Sequence, residues 1–228
     1  CNLSDIAAMG GVPRFAVVSL GVPPELKIRF VEEIYEGISR LAKRFRVAIV
    51  GGDTVRSQKI IINVALLGEV RKGHLVTREG ARKKDRIFVT GPLGRSFKTD
   101  KHLSFMPRIK ESQFLVRHFR PTSMIDISDG LIADLGHILE ASGVGACLDE
   151  EKIPRAPKAS LKEALGNGED FELLFTLPSS EGERLRKIRN ERFKFYLIGE
   201  IVDQKEGITL ADRRGHRRNL TIRGFEHF

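Results

Sequence analysis

Cysteine is scarce in this sequence, and its two copies, Cys1 and Cys147, form no CxxC pair. That spacing argues against a zinc framework or a disulfide-stapled scaffold, and a reducing cytoplasm is the default compartment. Long apolar runs are missing too. None approaches the roughly 20 residues needed to cross a bilayer, so no membrane partner is expected. Residues 1–5 have neither the basic start nor the apolar core of a secretory leader. There is no GxxxxGK[ST], which argues against a P-loop, and no HRD with DFG, which excludes a protein kinase. HExxH and GxSxG are also absent. If ATP is used, a different fold must hold it. No internal repeat or low-complexity stretch is present.

Charge is plentiful, with 39 Lys and Arg against 30 Asp and Glu, a net of +9. The basic residues are spread over residues 40–46, 71–86, 184–192 and 213–218. They show no regular aromatic interleaving and no zinc-finger or RRM signature. A solvated basic surface is the reading, with steering of anionic substrates as a use for it and no nucleic-acid partner expected.

Hydrophobic periodicity supplies the elements. In residues 25–46, Ile28, Val31, Ile34, Tyr35, Ile38, Leu41, Ala42 and Phe45 recur at spacings of three and four, which predicts an amphipathic helix starting after Pro23 and Pro24. Residues 15–20 read as a strand. Residues 47–50 form a short apolar run ending at Gly51-Gly52-Asp53, and residues 60–67 read as a buried strand. The order suggests an α+β or α/β layer with the helix on a sheet. A boundary is expected within residues 71–80. Beyond it, residues 86–90, 124–127, 171–177 and 195–202 read as strands. Residues 131–141 and 180–190 read as helices, and residues 208–222 as a hairpin around 212–215.

Four acidic motifs end apolar segments or open helices: Asn2-Leu3-Ser4-Asp5, Gly51-Gly52-Asp53-Thr54, Asp126-Ile127-Ser128-Asp129-Gly130 and Gly168-Glu169-Asp170. Carboxylates gathered on loops suit hard cations that also bridge to phosphates. Taken singly, each motif reads first as a helix cap or a turn, for which Ser4, Asp5, Ser128 and Asp129 are well suited, and only the four together weaken that reading. Strand alternation puts Asp126 and Ser128 on one face and Ile127 on the other, toward a core. Asp129 then stands where strand turns into helix, a place suited to phosphate.

Six segments together resemble the thiamine-monophosphate kinase family. They are Asn2 through Gly11, Gly51-Gly52-Asp53-Thr54, Thr77-Arg78-Glu79-Gly80-Ala81, Val89-Thr90-Gly91-Pro92-Leu93-Gly94, Met124 through Leu131, and Gly168 through Thr176, in that order over nearly the whole chain. The resemblance implies the two-domain fold of aminoimidazole ribonucleotide synthetase. Residues 1–70 would form an N-terminal half that dimerises through a β-barrel and lacks its first segment, and residues 71–228 a C-terminal α/β domain. It implies a cytoplasmic homodimer that uses ATP and several magnesium ions to phosphorylate thiamine monophosphate directly, with no protein nucleophile. Carried over by motif, Asp5, Asp53, Asp126 and Asp129 look like magnesium ligands. Tyr35, Gly52, Asp53, Arg78 and Ser128 look like ATP contacts, and Glu169 and Phe225 look like contacts to the thiamine moiety. Packing suits Tyr35 and Phe225 as well, and plain solvation suits Arg78.

The sequence also departs from the family. The Gly-Asp-Asp and Thr-Thr-Asp motifs and the substrate-binding His of relatives do not precede Cys1. Residues 121–123 and 153–168 are short, and residues 95–103 differ from the usual Ser-Ala-Ala-Gly-like helix start. These places are expected to correspond to loops that relatives carry. The competing readings are a non-catalytic dimeric binding protein of the same fold, another enzyme of the superfamily, and, on charge alone, a nucleic-acid-binding module.

Overall fold

The computed structural model describes residues 1–188 and 192–221. Its first sheet has the order β2-β1-β3, from β1 (Val12–Val22), β2 (Ala48–Arg56) and β3 (Ile61–Glu69). β1 and β2 run parallel, and α2 (Ile28–Phe45) makes the crossover that a parallel pair requires. β3 returns antiparallel on the other side of β1. The helix expected over residues 25–46 is therefore present, and its predicted stripe lies half-buried at Val31, Ile34, Tyr35, Ile38, Ala42 and Phe45. No residue of α2 is fully buried, and Ile28 and Leu41 face solvent.

Two expectations in this sheet need correction. Gly51-Gly52-Asp53 does not close a short strand but lies inside β2, which runs on to Arg56. Gly52 makes this possible, since a Cβ there would stand 1.9 Å from the Val18 carbonyl oxygen across the strand pair. The segment at residues 60–67 is a strand, but not a buried one. Ile61 is 55% and Ile62 49% exposed, because among the described residues nothing packs over this end of β3, whereas α1 reaches its other part at Val64 and Gly68.

The second sheet has seven strands in the order β10-β9-β6-β8-β4-β7-β5. They are β4 (Arg86–Val89), β5 (Ser123–Asp126), β6 (Val144–Asp149), β7 (Leu173–Leu177), β8 (Tyr196–Asp203), β9 (Ile208–Ala211) and β10 (Arg217–Asn219). All pairings are antiparallel except β6 with β9. On one face lie α5 (Leu131–Ser142) and α6 (Leu161–Gly166), with Ile87, Val89, Leu131, Leu135, Ile138 and Leu174 in one apolar cluster. On the other lie α1 (Asn2–Ala8), α4 (Ile109–His118) and α7 (Ser179–Lys187), packed with Phe88, Phe119, Leu173 and Phe175. A short α3 (Lys101–Ser104) precedes α4. Helices on both faces of a mixed sheet beside a second, smaller sheet give the α+β, α/β two-part architecture expected.

α1 ties the two sheets together. Asn2 Nδ2 donates to the Val64 carbonyl of β3 at 3.1 Å, and the Ala7 carbonyl accepts from Ser112 Oγ of α4 at 2.6 Å. Ser4 and Asp5 are inside this helix, with Cys1 at its N-cap, so neither caps it. The expected core role of Ile127 holds, as it is fully buried.

Candidate functional site

The edge strand β5 ends at Asp126, and α1 packs beside it. This brings Asp5 and Asp126 together from opposite halves of the chain. Asp126 is only 6% exposed. Burial pushes its pKa up, the nearby Ser4 hydroxyl pulls it down, and the charge of Asp5 adds to the rise. Ser4 Oγ is itself buried without a partner at hydrogen-bonding geometry, so its effect is one of proximity rather than a formed bond. Asp5 is also raised, by burial.

After Asp126 the chain turns through residues 127–130 into α5, whose N-cap is Gly130. Neither Ser128 nor Asp129 caps the helix through its side chain. The loop before the helix is instead held by Asp134, which the sequence reading missed. Its Oδ2 accepts the backbone N–H groups of Ser128, Asp129 and Gly130 at 3.0, 3.0 and 3.1 Å. Burial pushes Asp134 up to about 7, against the pull of those N–H groups, and the charges of Asp129 and Asp126 add to the rise. The ligand atoms of Asp129, Asp134 and His137 lie within 4.8 Å of one another. A carboxylate four residues past Gly130, in the first turn of a helix opened by glycine, was the available signal for Asp134.

Three of the four expected metal-binding carboxylates, Asp5, Asp126 and Asp129, are thus joined through mutual charge contacts or through Asp134. Asp53 stands on the exposed β2, opposite Ser19, where its carboxylate accepts the N–H of Thr54. Among the described residues no contact joins it to the other three. Tyr35 lines an open concavity on α2 with Glu32, Glu36, Ser39, Arg40 and Lys43. Arg78 is exposed, and among the described residues its guanidinium has no hydrogen-bond or ion-pair partner. Phe225 lies outside the described residues.

Glu169 follows a backbone that comes very close to the loop at residues 127–130, and its carboxylate has no partner among the described residues. Beside it is a second cluster that sequence reasoning left without a role. Glu172 and Asp170 are buried, and Glu172 is bonded to Arg108, Lys101 and Thr90. Burial pushes Glu172 up, but these three partners more than offset it and hold its pKa below the usual value. Asp170 Oδ2 accepts from the Gly94 N–H at 2.7 Å, while buried Oδ1 has no hydrogen bond and faces Lys101 Nζ at 3.7 Å. Burial lifts Asp170 to about 6. Surface concavities elsewhere, such as one of about 930 Å³ lined by Lys72, His74, Arg117, His118 and Arg184, contain none of these acids. No helix among the described residues is long and apolar enough to cross a membrane.

Comparison with known proteins bears directly on this arrangement. The family model for the AIR synthase related protein, N-terminal domain, matches residues 1–70, and that for the C-terminal domain matches residues 61–211. The thiamine-monophosphate kinase of Aquifex aeolicus is 37% identical over 258 aligned positions, covering 100% of this chain and 78% of the relative. That of Bacillus subtilis is 36% identical over 259 positions, with 100% and 78% covered. Both alignments are longer than the 228 residues of this chain, so the relatives carry residues with no counterpart here. The solved structure of AaThiL complexed with AMPPCP and TMP superposes with a TM-score of 0.84 at 31% identity, covering 100% of this chain and 77% of that one. The HypE–HypF complex reaches a TM-score of 0.80 at 21% identity, over 96% of this chain and 81% of that one, a likeness of fold alone. The chain therefore belongs to the thiamine-monophosphate kinase family, phosphotransferases built from the two AIR-synthase-related domains.

Proposed function

We propose that this chain transfers the γ-phosphoryl group of ATP directly to thiamine monophosphate, giving thiamine diphosphate and ADP. The observation that carries the reading is the meeting of Asp5, Asp126 and Asp129 beside the loop that opens α5. The likeness to a structure solved with AMPPCP and TMP over the whole chain supports the same reading.

The donor set fits magnesium, because it is built of carboxylate oxygens that burial and mutual repulsion leave short of positive charge. Asp5, Asp126 and Asp129 would hold it, with Asp53 brought from the first sheet. When bound, the ion neutralises the phosphates and polarises the transferring group. The protein's own residues orient the rest. Asp134 takes up the N–H groups of Ser128, Asp129 and Gly130 and so fixes the loop that carries Ser128 and Asp129. Gly52, Tyr35, Arg78 and Ser128 contact ATP, with the free fork of Arg78 on phosphate. Glu169 offers its unpaired carboxylate to the cationic thiamine moiety, and Phe225 stacks on it. No protein nucleophile is needed, since the acceptor phosphate is already an anion.

The chain works as a cytoplasmic homodimer whose residues 1–70 and 71–228 form its two domains. The exposed apolar side chains Phe15, Val50, Val55, Ile61, Ile62 and Leu67 of the first sheet are what a second copy would cover. The test is incubation with ATP, magnesium and thiamine monophosphate, followed by separation of products. Thiamine diphosphate and ADP forming in equal amounts is the expected result. A dimer that binds both substrates without turnover would instead support a non-catalytic binding protein.

A further inference from the structure

Glu169 and Phe171 have φ angles of 64° and 50°. Side chains other than glycine avoid this left-handed region, and residues stay there only where their surroundings hold them. Here the backbone is bonded to the loop after Asp126. Glu169 N–H donates to the Ser128 carbonyl at 2.7 Å, and Phe171 N–H to the Ile127 carbonyl at 2.8 Å. Ile127 N–H returns a bond to the Glu172 carbonyl at 2.8 Å. Gly168 permits the approach, since a Cβ there would lie 2.2 Å from the Ser128 oxygen. The Phe171 ring is stacked on Phe105 with centroids 4.0 Å apart.

Directly behind this turn sits Glu172, 1% exposed. Arg108, at the start of α4, grips it as a fork: Nε to Oε2 and Nη2 to Oε1, both at 2.7 Å. Lys101 Nζ adds a bond at 3.0 Å and Thr90 Oγ1, just past β4, one at 2.7 Å. A carboxylate this deep is tolerated only when its oxygens are fully engaged, and a bidentate arginine also fixes its direction. Glu172 is therefore pinned to three other elements, α3, α4 and the end of β4, at the point where the strained turn enters β7.

We propose that Arg108 and Glu172 are a positioning pair that holds the turn at residues 168–171 in its strained form and so sets where Glu169 stands relative to Ser128 and Asp129. This rests on the reading of Glu169 as the acceptor's partner. Neither residue touches a substrate. Loosening the fork lets the turn relax and moves the acceptor's acid, while Asp126, Asp129 and Asp134 keep their own supports. The consequence is selective: acceptor binding suffers and ATP binding does not. A pair with only a structural role would lower the folded fraction and leave both KM values alone.

The test uses Glu172→Gln and Arg108→Lys in the full chain. The first keeps shape and loses charge; the second keeps charge and loses the fork. Three readouts are taken: KM for thiamine monophosphate, KM for ATP, and hydrogen exchange at the Glu169 and Phe171 amides with Val89 of β4 as control. The expected result is a rise of about tenfold or more in the acceptor KM, the scale at which small misplacements act. ATP KM and Val89 protection stay unchanged, and the Glu169 and Phe171 amides exchange faster. Unchanged or equally changed KM values, or unaltered exchange at those two amides, would overturn the proposal. If Glu172→Gln does not fold, Arg108→Lys decides alone. Absence of turnover in the unaltered protein would sink the functional reading, and the exchange data would still decide the fork.

Discussion

The two sheets of this molecule differ in how they spend their apolar residues. In the seven-stranded sheet, β7 is buried at every position and β4 at all but the first. In the three-stranded sheet, eight of the nine positions of β2 are exposed, and only the central β1 holds fully buried apolar side chains at Ala16, Val18 and Leu20. Both are rich in Val, Ile and Leu. A continuous apolar run shows that a strand is meant to be covered on both faces, not what covers it. Helices of the same chain cover the larger sheet. The smaller one carries an apolar surface that the described residues leave open.

The largest effect should come from the covered sheet. Phe88 and Phe175 stack at 5.4 Å with both side chains fully buried. Phe175→Ala should cost about 3–5 kcal/mol in denaturant unfolding, through lost burial and the cavity left behind. A cost near that of a surface substitution would erase the contrast between the sheets.

Next comes chemistry at the edge of the same sheet. Asp126→Asn should lower phosphoryl transfer by about 10²–10³, the range for removing one preorganised electrostatic contact, with little change in melting temperature. Asp53→Asn, on the open sheet, should lose less, because no contact among the described residues joins Asp53 to the acidic cluster. Rates measured at saturating magnesium and ATP check both. An equal loss would show that the two sheets close on one metal site.

The contrast also marks what could be read from the sequence. Residues 131–141 and 171–177 announced a helix and a strand because their neighbours in the chain and in space agree, though the strand begins two residues later than expected, at Leu173. α5 ends one residue later than expected, at Ser142. β6 escaped notice because Val144, Gly145, Ala146 and Cys147 are small or mixed and show no alternation. α1 is seven residues long, too short for a period to emerge. Asp5, Asp126 and Asp129 stood out by motif, and their proximity is what folding adds. Asp134 and the Arg108–Glu172 fork were not, because their roles depend on backbone groups and partners supplied by folding.

A smaller effect concerns Asp170. Burial lifts its carboxyl from 3.8 to about 6, with the Gly94 N–H and Lys101 pulling the other way. The folded state thus holds this proton more tightly than the unfolded chain. Its contribution is fully present below the unfolded value and is lost as pH rises through the folded one. Asp170→Asn cannot ionise, so its stability relative to the parent should grow from about pH 4 to about pH 7, by up to roughly 3 kcal/mol. Urea unfolding across that range checks the sign. A difference that stays flat or shrinks would mean that Lys101, 3.7 Å from Asp170 Oδ1, outweighs burial.

The smallest effect on stability should fall on the open sheet. Val55 and Ile62 are about half exposed. Changing both to threonine keeps β-branched side chains that suit a strand while removing apolar surface. In the isolated chain the pair should shift unfolding by no more than about 1 kcal/mol, the range for surface sites. In a dimer the same atoms would be buried against a second copy, and each would add its area to association. The double variant should therefore dissociate at higher protein concentration than the parent in light scattering, with its concentration-independent unfolding unchanged. If the parent is a monomer, or if the variant's association matches the parent's, the apolar face has some other cover. If instead the variant loses several kcal/mol as a monomer, β2 and β3 are more deeply packed than their exposure implies, and the contrast between the two sheets fails at its weaker side.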